Sequence, residues 1–237
     1  MLNIEHFSKI YQGRTPAVDD VSLSIAAGEI YGFIGHNGAG KTTTLKACAG
    51  ILNFTQGRIL LDGVSVQDDP MTYKQQIAFV PDNPDLYEFL TGIQYVTFIC
   101  DVYGAPPQVR QERIRSYAEA LELTGNLGDL IGSYSHGMKQ KLALICALVH
   151  EPRLLILDEP FVGLDPKASF TVKQMMRDHC DKGNAIFFST HVLEVAEKLC
   201  TKVAIIKKGR LIVSGKTEEV RGRESLEDVF MELVDHE

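Results

Sequence analysis

Apolar and polar positions alternate along two stretches near the start of the chain. Over Leu2–Phe7, and again over Val18–Ile25 where Val21, Leu23 and Ile25 take every second place, the period is two. That period sends successive side chains to opposite faces, so each stretch predicts a strand with one buried face. Tyr11 lies between them and leads into a turn-rich stretch around Gly13 and Pro16. Other stretches are apolar without alternation: Ile30–Ile34, Ile77–Val80, Leu154–Leu157 and Ala185–Phe188. Such runs predict buried strands, and Leu154–Leu157 has the character of a central parallel strand covered on both faces. Gly57–Leu61 predicts a further strand, closed by the turn pair Asp62-Gly63. Ile77–Val80 stops at four turn formers, Pro81-Asp82-Asn83-Pro84. Val203–Ile206 and Leu211–Val213 flank Lys207-Lys208-Gly209-Arg210 and predict a terminal hairpin.

A helical period takes over from about Leu86 to His150. Ile93, Val96, Cys100 and Tyr103 are spaced to share one helix face, as are Ile114, Tyr117, Ala118 and Leu121. The expected organisation is therefore a helical subdomain over 85–150 inserted into an α/β core made of 1–84 and 151–237. Within the second part of the core, Asp165-Pro166 has the form of an N-cap followed by proline at the first helical position, opening a helix to about Cys180. Val192, Val195, Ala196 and Leu199 mark the next helix, and Leu226, Val229, Phe230 and Leu233 a last amphipathic one.

Composition narrows the function classes. The 237 residues carry a net charge of −7, which speaks against a nucleic-acid binder with a basic stripe. The five cysteines (Cys48, Cys100, Cys146, Cys180, Cys200) are scattered and never form a C-x-x-C pair, so small core residues in a reducing compartment are expected rather than zinc or disulfides. No apolar stretch approaches the ~18 residues of a membrane span, and Met1–Ile10 lacks a basic region followed by an apolar run. Any membrane-spanning element would have to come from another chain.

The chemistry begins at Gly35-His36-Asn37-Gly38-Ala39-Gly40-Lys41-Thr42, between the apolar run Ile30–Ile34 and the helix-like Thr43–Ala47. Strand, glycine-rich loop and helix with the spacing G-x-x-x-x-G-K-[ST] is the pattern of a phosphate-binding P-loop. Glycines let backbone N–H groups turn inward onto phosphate oxygens, and the helix N-terminus adds unpaired donors and the positive dipole end. Gly35, Asn37, Gly38, Ala39, Gly40, Lys41, Thr42 and Thr43 are thus the candidate phosphate contacts. Lys41 reaches toward the β- and γ-phosphates, and the Thr42 hydroxyl is a Mg²⁺ ligand. A second constellation is Leu154–Leu157 ending in Asp158-Glu159. Two adjacent acids alone describe a solvated strand end. In a chain with a P-loop, Asp158 is the candidate metal carboxylate, and Glu159 the candidate base that orients and deprotonates an attacking water.

Together these residues resemble the ATP-binding subunit of an ABC transporter, over nearly the whole chain. Tyr134-Ser135-His136-Gly137-Met138 is similar to the family signature LSGGQ, keeping Ser135 and Gly137 and departing at Tyr134, His136 and Met138. The residues themselves predict a helix from Met138 to Val149 capped by Ser135. The resemblance implies that Ser135, Gly137 and Met138 close onto the γ-phosphate held by an opposite subunit. Phe161-Val162-Gly163-Leu164-Asp165 resembles the family's D-loop, and Ser189-Thr190-His191 its switch histidine, with His191 facing the γ-phosphate. Tyr11 takes the place of the aromatic residue that stacks on adenine. Asp82 stands where the family usually has a Mg²⁺-binding Gln; it is either a shorter carboxylate ligand or a turn residue of Pro-Asp-Asn-Pro.

The resemblance implies an α/β fold: a P-loop NTPase core with a mostly parallel central sheet, an N-terminal antiparallel β-subdomain and an inserted helical subdomain. It implies ATP and Mg²⁺ as cofactors, a head-to-tail homodimer or paired ATPase subunit around two ATP, and a location on the cytoplasmic face of a membrane. A separate permease would be contacted through about Asp82–Phe98, where Tyr87 and Phe89 are either interface anchors or packing residues. An acid followed by Pro84, Leu86 and Tyr87, the Ser-His-Gly-Met-Lys-Gln signature and the Ser225–Phe230 tail resemble bacterial exporter ATPases, Ecs-type ones included. A soluble ABC-type ATPase acting on ribosomes or DNA is the competing class; such chains usually carry two domains or a long coiled coil, and neither pattern is present here.

Overall fold

The computed structural model describes the backbone of every residue except Arg14, Thr55, His236 and Glu237. The alternation near the start is realised as two long antiparallel strands, β1 (Leu2–Lys9) and β2 (Val18–Ile25). They pair with Leu2 opposite Ile25 and Ile4 opposite Leu23. The strict period of two fails at one point. His6 has a φ of 50° and shifts the register, so Ile4 and Phe7 share the buried face although they are three apart. Asp20 has a φ of 55° on the facing strand, and its carboxylate meets His6 Nδ1 at 2.8 Å. These are β-bulges, which add twist where the strands bend. β4 (Gln56–Leu61) and the two-residue β5 (Val64–Ser65) complete a sheet of order β2-β1-β4-β5, joined through the predicted Asp62-Gly63 turn.

The second sheet has β3 (Ile30–Ile34), β6 (Ile77–Val80), β7 (Leu154–Asp158), β8 (Ala185–Thr190), β9 (Lys202–Lys207) and β10 (Arg210–Lys216) in the order β10-β9-β3-β8-β7-β6. All pairs are parallel except β9 with β10. The predicted terminal hairpin therefore does not stand apart: its first strand lies directly beside β3. The strand that ends in Asp158 is separated from β3 by β8.

Continuous apolar runs are needed because both faces of this sheet are covered. Tyr31, Phe33, Ile77, Leu154, Ile156, Ala185 and Phe187 pack toward the antiparallel sheet and α1 (Lys41–Cys48). Ile34, Ala78, Val80, Leu155, Leu157, Ile186 and Phe188 pack toward the helices on the other side. Those helices include α3 (Gly92–Val102), α4 (Pro107–Ala120) and α5 (His136–Leu148), with α6 (Pro166–Asp181) and α7 (Leu193–Leu199). Their buried residues form one cluster with the sheet. α5 is buried from Leu142 onward because sheet and helices enclose it.

The helix ends follow their local chemistry. Thr91 and Gln94 form a capping box on α3, and Asp165 accepts from the Ala168 N–H at 2.9 Å with Pro166 in first position on α6. Ile93 keeps the spacing of that face but lies in the first turn of α3. It is exposed, and Val96 and Cys100 carry the burial of α3. α2 (Pro70–Lys74) and α8 (Thr217–Arg221) are too short to leave a periodic signal, and α9 (Leu226–Asp235) ends the described chain. All five cysteines are free and buried. Among the described residues, no helix is long and apolar enough to cross a membrane.

Candidate nucleotide site

The loop of residues 35–40 leaves the C-terminal end of β3, where Ile34 pairs with Thr190 on one side and Ile205 on the other. Two glycines are required by crowding. A Cβ on Gly35 would lie 2.5 Å from the Ile206 carbonyl oxygen, and one on Gly40 would lie 2.7 Å from that of Ala17. Gly40 also has a φ of 110°. As N-cap it offers no side-chain acceptor, so the first turn of α1 stays open to an outside anion. Lys41 is buried; its Nζ donates to the Gly35 carbonyl at 2.6 Å and lies 3.5 Å from Glu159 Oε1.

The two acids end β7. Asp158 is 1 % exposed, accepts a hydrogen bond from the Ser189 hydroxyl through Oδ1, and leaves Oδ2 without a partner. A buried carboxylate oxygen with nothing to accept is costly, and a cation or its water shell would relieve it. Glu159 has a φ of 48°, the left-handed region that a non-glycine residue adopts at a cost. It is held there by its N–H, which faces the Ser189 carbonyl at 3.3 Å and the Ser189 hydroxyl at 3.1 Å. His191 Nδ1 comes within 2.9 Å of Glu159 Oε1, a close approach without the alignment of a hydrogen bond. Lys41 and His191 thus converge on one carboxylate oxygen.

A cavity of about 370 Å³ joins these parts, lined by loop residues 36–38 and 40–43 together with Asp82, Asp158 and Glu159. Asp82 is exposed at this cavity and also accepts from the Asn83 N–H at 2.9 Å, so it belongs to both the cleft and the turn. Thr42 is exposed there too. Among the described residues no three His, Cys, Asp or Glu side chains enclose a metal. The oxygens of Thr42, Asp82 and Asp158 nevertheless suit a hard cation that keeps water and phosphate ligands, as Mg²⁺ does.

Of the predicted site residues, Tyr11, Ser135, Gly137 and Met138 do not line this cavity, nor do Gly35, Ala39 and His191. The half-exposed Tyr11 has its hydroxyl 3.3 Å from Thr43 Oγ1, which ties β1's exit to α1. Ser135 caps α5 by accepting from the Met138 N–H at 3.3 Å, and α5 begins at His136, two residues before the predicted start. Ser135, Gly137 and Met138 do not line the cavity of their own chain. Gly137 and His136 lie against the D-loop-like turn: a Cβ on Gly137 would meet the Gly163 carbonyl at 2.6 Å, and one on Gly163 would meet the His136 ring at 2.4 Å.

Two residues with no role assigned from sequence matter here. Ser189 orders both acids at once from its place opposite Asp158 in a parallel pair, whereas the sequence marks it only as the first residue of Ser189-Thr190-His191. Phe230 of α9 meets the ring of His36.

The family described as ABC transporter matches residues 18–162. The ABC-type transporter ATP-binding protein EcsA of Bacillus subtilis is 33% identical over 226 residues, which cover 93% of this chain and 92% of EcsA. A solved structure of an ATP-binding subunit of an ABC transporter superposes with a TM-score of 0.94 at 34% identity, covering 98% of this chain and 99% of that one. CbiO1 from Clostridium perfringens, part of the ABC transporter complex CbiONQ, follows with a TM-score of 0.79 at 28% identity, covering 94% of this chain and 90% of its own. With its P-loop, paired acids and capped signature helix on this fold, the chain belongs to the ABC transporter family of ATP-binding ATPases.

Proposed function

We propose that the chain binds ATP with Mg²⁺ and hydrolyses it as one of two copies packed head to tail, powering a separate membrane permease, with export as the direction. The observation that carries the hydrolysis is the convergence of Lys41 and His191 on Glu159, beside the loop and the unpartnered Asp158 Oδ2. The loop N–H groups bind the phosphates, and Lys41 exchanges the Gly35 carbonyl for phosphate oxygens. Tyr11 stacks on the base. Thr42, Asp158 and Asp82 hold Mg²⁺, whose charge offsets that of the phosphates. Glu159 orients a water and takes its proton, and His191 fixes the carboxylate and the γ-phosphate side of the cleft.

In this reading the site is half of a whole, which is supported by Ser135–Met138 not lining the cavity of their own chain. In a head-to-tail pair they cover the phosphates of the other copy, with the Ser135 hydroxyl and the Gly137 N–H as donors. The helical subdomain over 85–150 carries this signature between the core parts 1–84 and 151–237. Asp82–Phe98 faces the permease on the cytoplasmic side. Supporting this, Tyr87 and Phe89 are 50% and 77% exposed and stack at 5.8 Å, with Phe98 6.1 Å from Tyr87. An exposed aromatic patch of this kind suits interface anchors. Export rests on the resemblance of the signature and the tail to Ecs-type ATPases.

Glu159→Gln is the direct test. Turnover of the purified protein should drop by roughly 10²–10⁴ while ATP affinity by calorimetry is kept. A wild-type rate in Glu159→Gln would remove Glu159 from the chemistry.

A further inference from the structure

The phosphate loop has two limbs with unequal support. The inner limb is wedged: Gly35 sits under the Ile206 carbonyl, Gly40 beside the Ala17 carbonyl, and Lys41 closes back on Gly35. The outer limb, His36-Asn37-Gly38, is exposed, and Gly38 has nothing within 4 Å of its Cβ position. Among the described contacts, two hold it. The Ala39 N–H donates to the His36 carbonyl at 3.1 Å. The His36 ring meets the Phe230 ring with centroids 5.0 Å apart at an interplanar angle of 68°. Edge-to-face geometry of this kind is favoured by the ring quadrupoles.

Phe230 is itself firmly placed. It is 5 % exposed and belongs to the same apolar cluster as Ile34, the residue before the loop. Its helix, α9, is capped by Ser225 and Asp228, which bond reciprocally. The helix is moored on α7 through Glu197, which accepts the Leu226 N–H at 2.8 Å and Arg221 Nη1 at 2.9 Å. α7 in turn follows His191 after a single residue, Val192. One helix at the end of the described chain therefore braces the outer limb of the loop and α7, which begins two residues after His191.

We propose that Phe230 is a positioning residue of the nucleotide site. Through the His36 ring it holds His36–Gly38 in the shape that receives phosphate, so nucleotide affinity depends on a helix that lines no part of the cavity. This rests on the ATP reading above. Without the ring contact the exposed limb samples other conformations, and binding must then restore order at an entropic cost.

The test compares the full chain with Phe230→Leu, which keeps the apolar anchor and removes the ring, and with His36→Ala, which removes its partner from an exposed loop. Calorimetric ATP affinity, thermal unfolding without nucleotide, and the double variant are measured. The expected result is a loss of affinity of about threefold to tenfold in each single variant, from the size of one aromatic pair. Unfolding temperatures should stay near wild type, and the double variant should be no weaker than the weaker single one. The His36 ring protons should also lose a ring-current shift in Phe230→Leu. Wild-type affinity in Phe230→Leu, or losses that add fully in the double variant, overturns the brace. Lys41→Ala separates the two readings. If it abolishes binding while Phe230→Leu binds normally, the brace alone fails; if the wild type binds no ATP, both fail.

Discussion

His179 lies buried on α6 with Nε2 lacking a hydrogen-bond partner. Burial first, then the charges of Lys182 and His150, hold its pKa down at about 4. The folded protein therefore keeps it neutral over a range where an unfolded chain, with a histidine pKa near 6.5, takes up a proton. Its contribution to stability is fully present above about pH 6.5 and is lost as pH falls toward about 4, at up to ~1.4 kcal/mol per pH unit. His179→Met should flatten the urea-unfolding profile between pH 6.5 and 4.5 relative to wild type. Parallel profiles would show that His179 is not the titrating group. Residue chemistry of this sort is poorly legible in a sequence. Lys41, Asp158 and Glu159 were marked by spacing, but Ser189, which holds both acids, was not, because its meaning depends on the register of β7 with β8. Asp82 stayed open between ligand and turn, and its two settings in the structure explain why: the side chain faces the cavity and also closes the turn on Asn83.

At the scale of elements, the loop is a strand–turn–helix whose shape is enforced by neighbours distant in sequence. Gly40 illustrates this, with its φ of 110° and the Ala17 carbonyl where a Cβ would stand. Gly40→Ala combines backbone strain of about 1–3 kcal/mol with a steric clash. Carried by the loop, that amounts to roughly a tenfold or greater loss of ATP affinity, read by calorimetry, with the rest of the fold intact by circular dichroism. Unchanged affinity would mean that the loop tolerates the displaced backbone. The long elements were legible because period and caps are local: Asp165 with Pro166 begins a helix where its chemistry predicts, and Ser135 caps one that starts two residues before Met138. The bulges at His6 and Asp20 were not, since nothing in an exposed His or Asp announces a positive φ until a facing strand imposes it. The exposure of Ile93 was not legible either. That residue fits the period of α3 but falls in the helix's first turn, where it stays exposed.

For the molecule as a whole, the decisive feature is that Ser135–Met138 do not line the cavity holding Lys41. If two copies share their sites, a Ser135→Ala protein mixed with a Lys41→Ala protein should form one intact composite site. That should restore ATPase activity to about a quarter of wild type when dimers assort at random. Mixed pairs confirmed by cross-linking that stay inactive would argue against the shared site.

The chain by itself determined the α/β class, the order of strands and helices, the loop and the two acids, because periodicity, glycine spacing and helix caps act over a few residues. Tertiary structure alone decided which strand lies beside β3, which serine orders Asp158, where the His136 ring rests and that α9 reaches His36. Those contacts join residues far apart along the chain, and only packing on the two faces of one sheet brings them within a few ångströms.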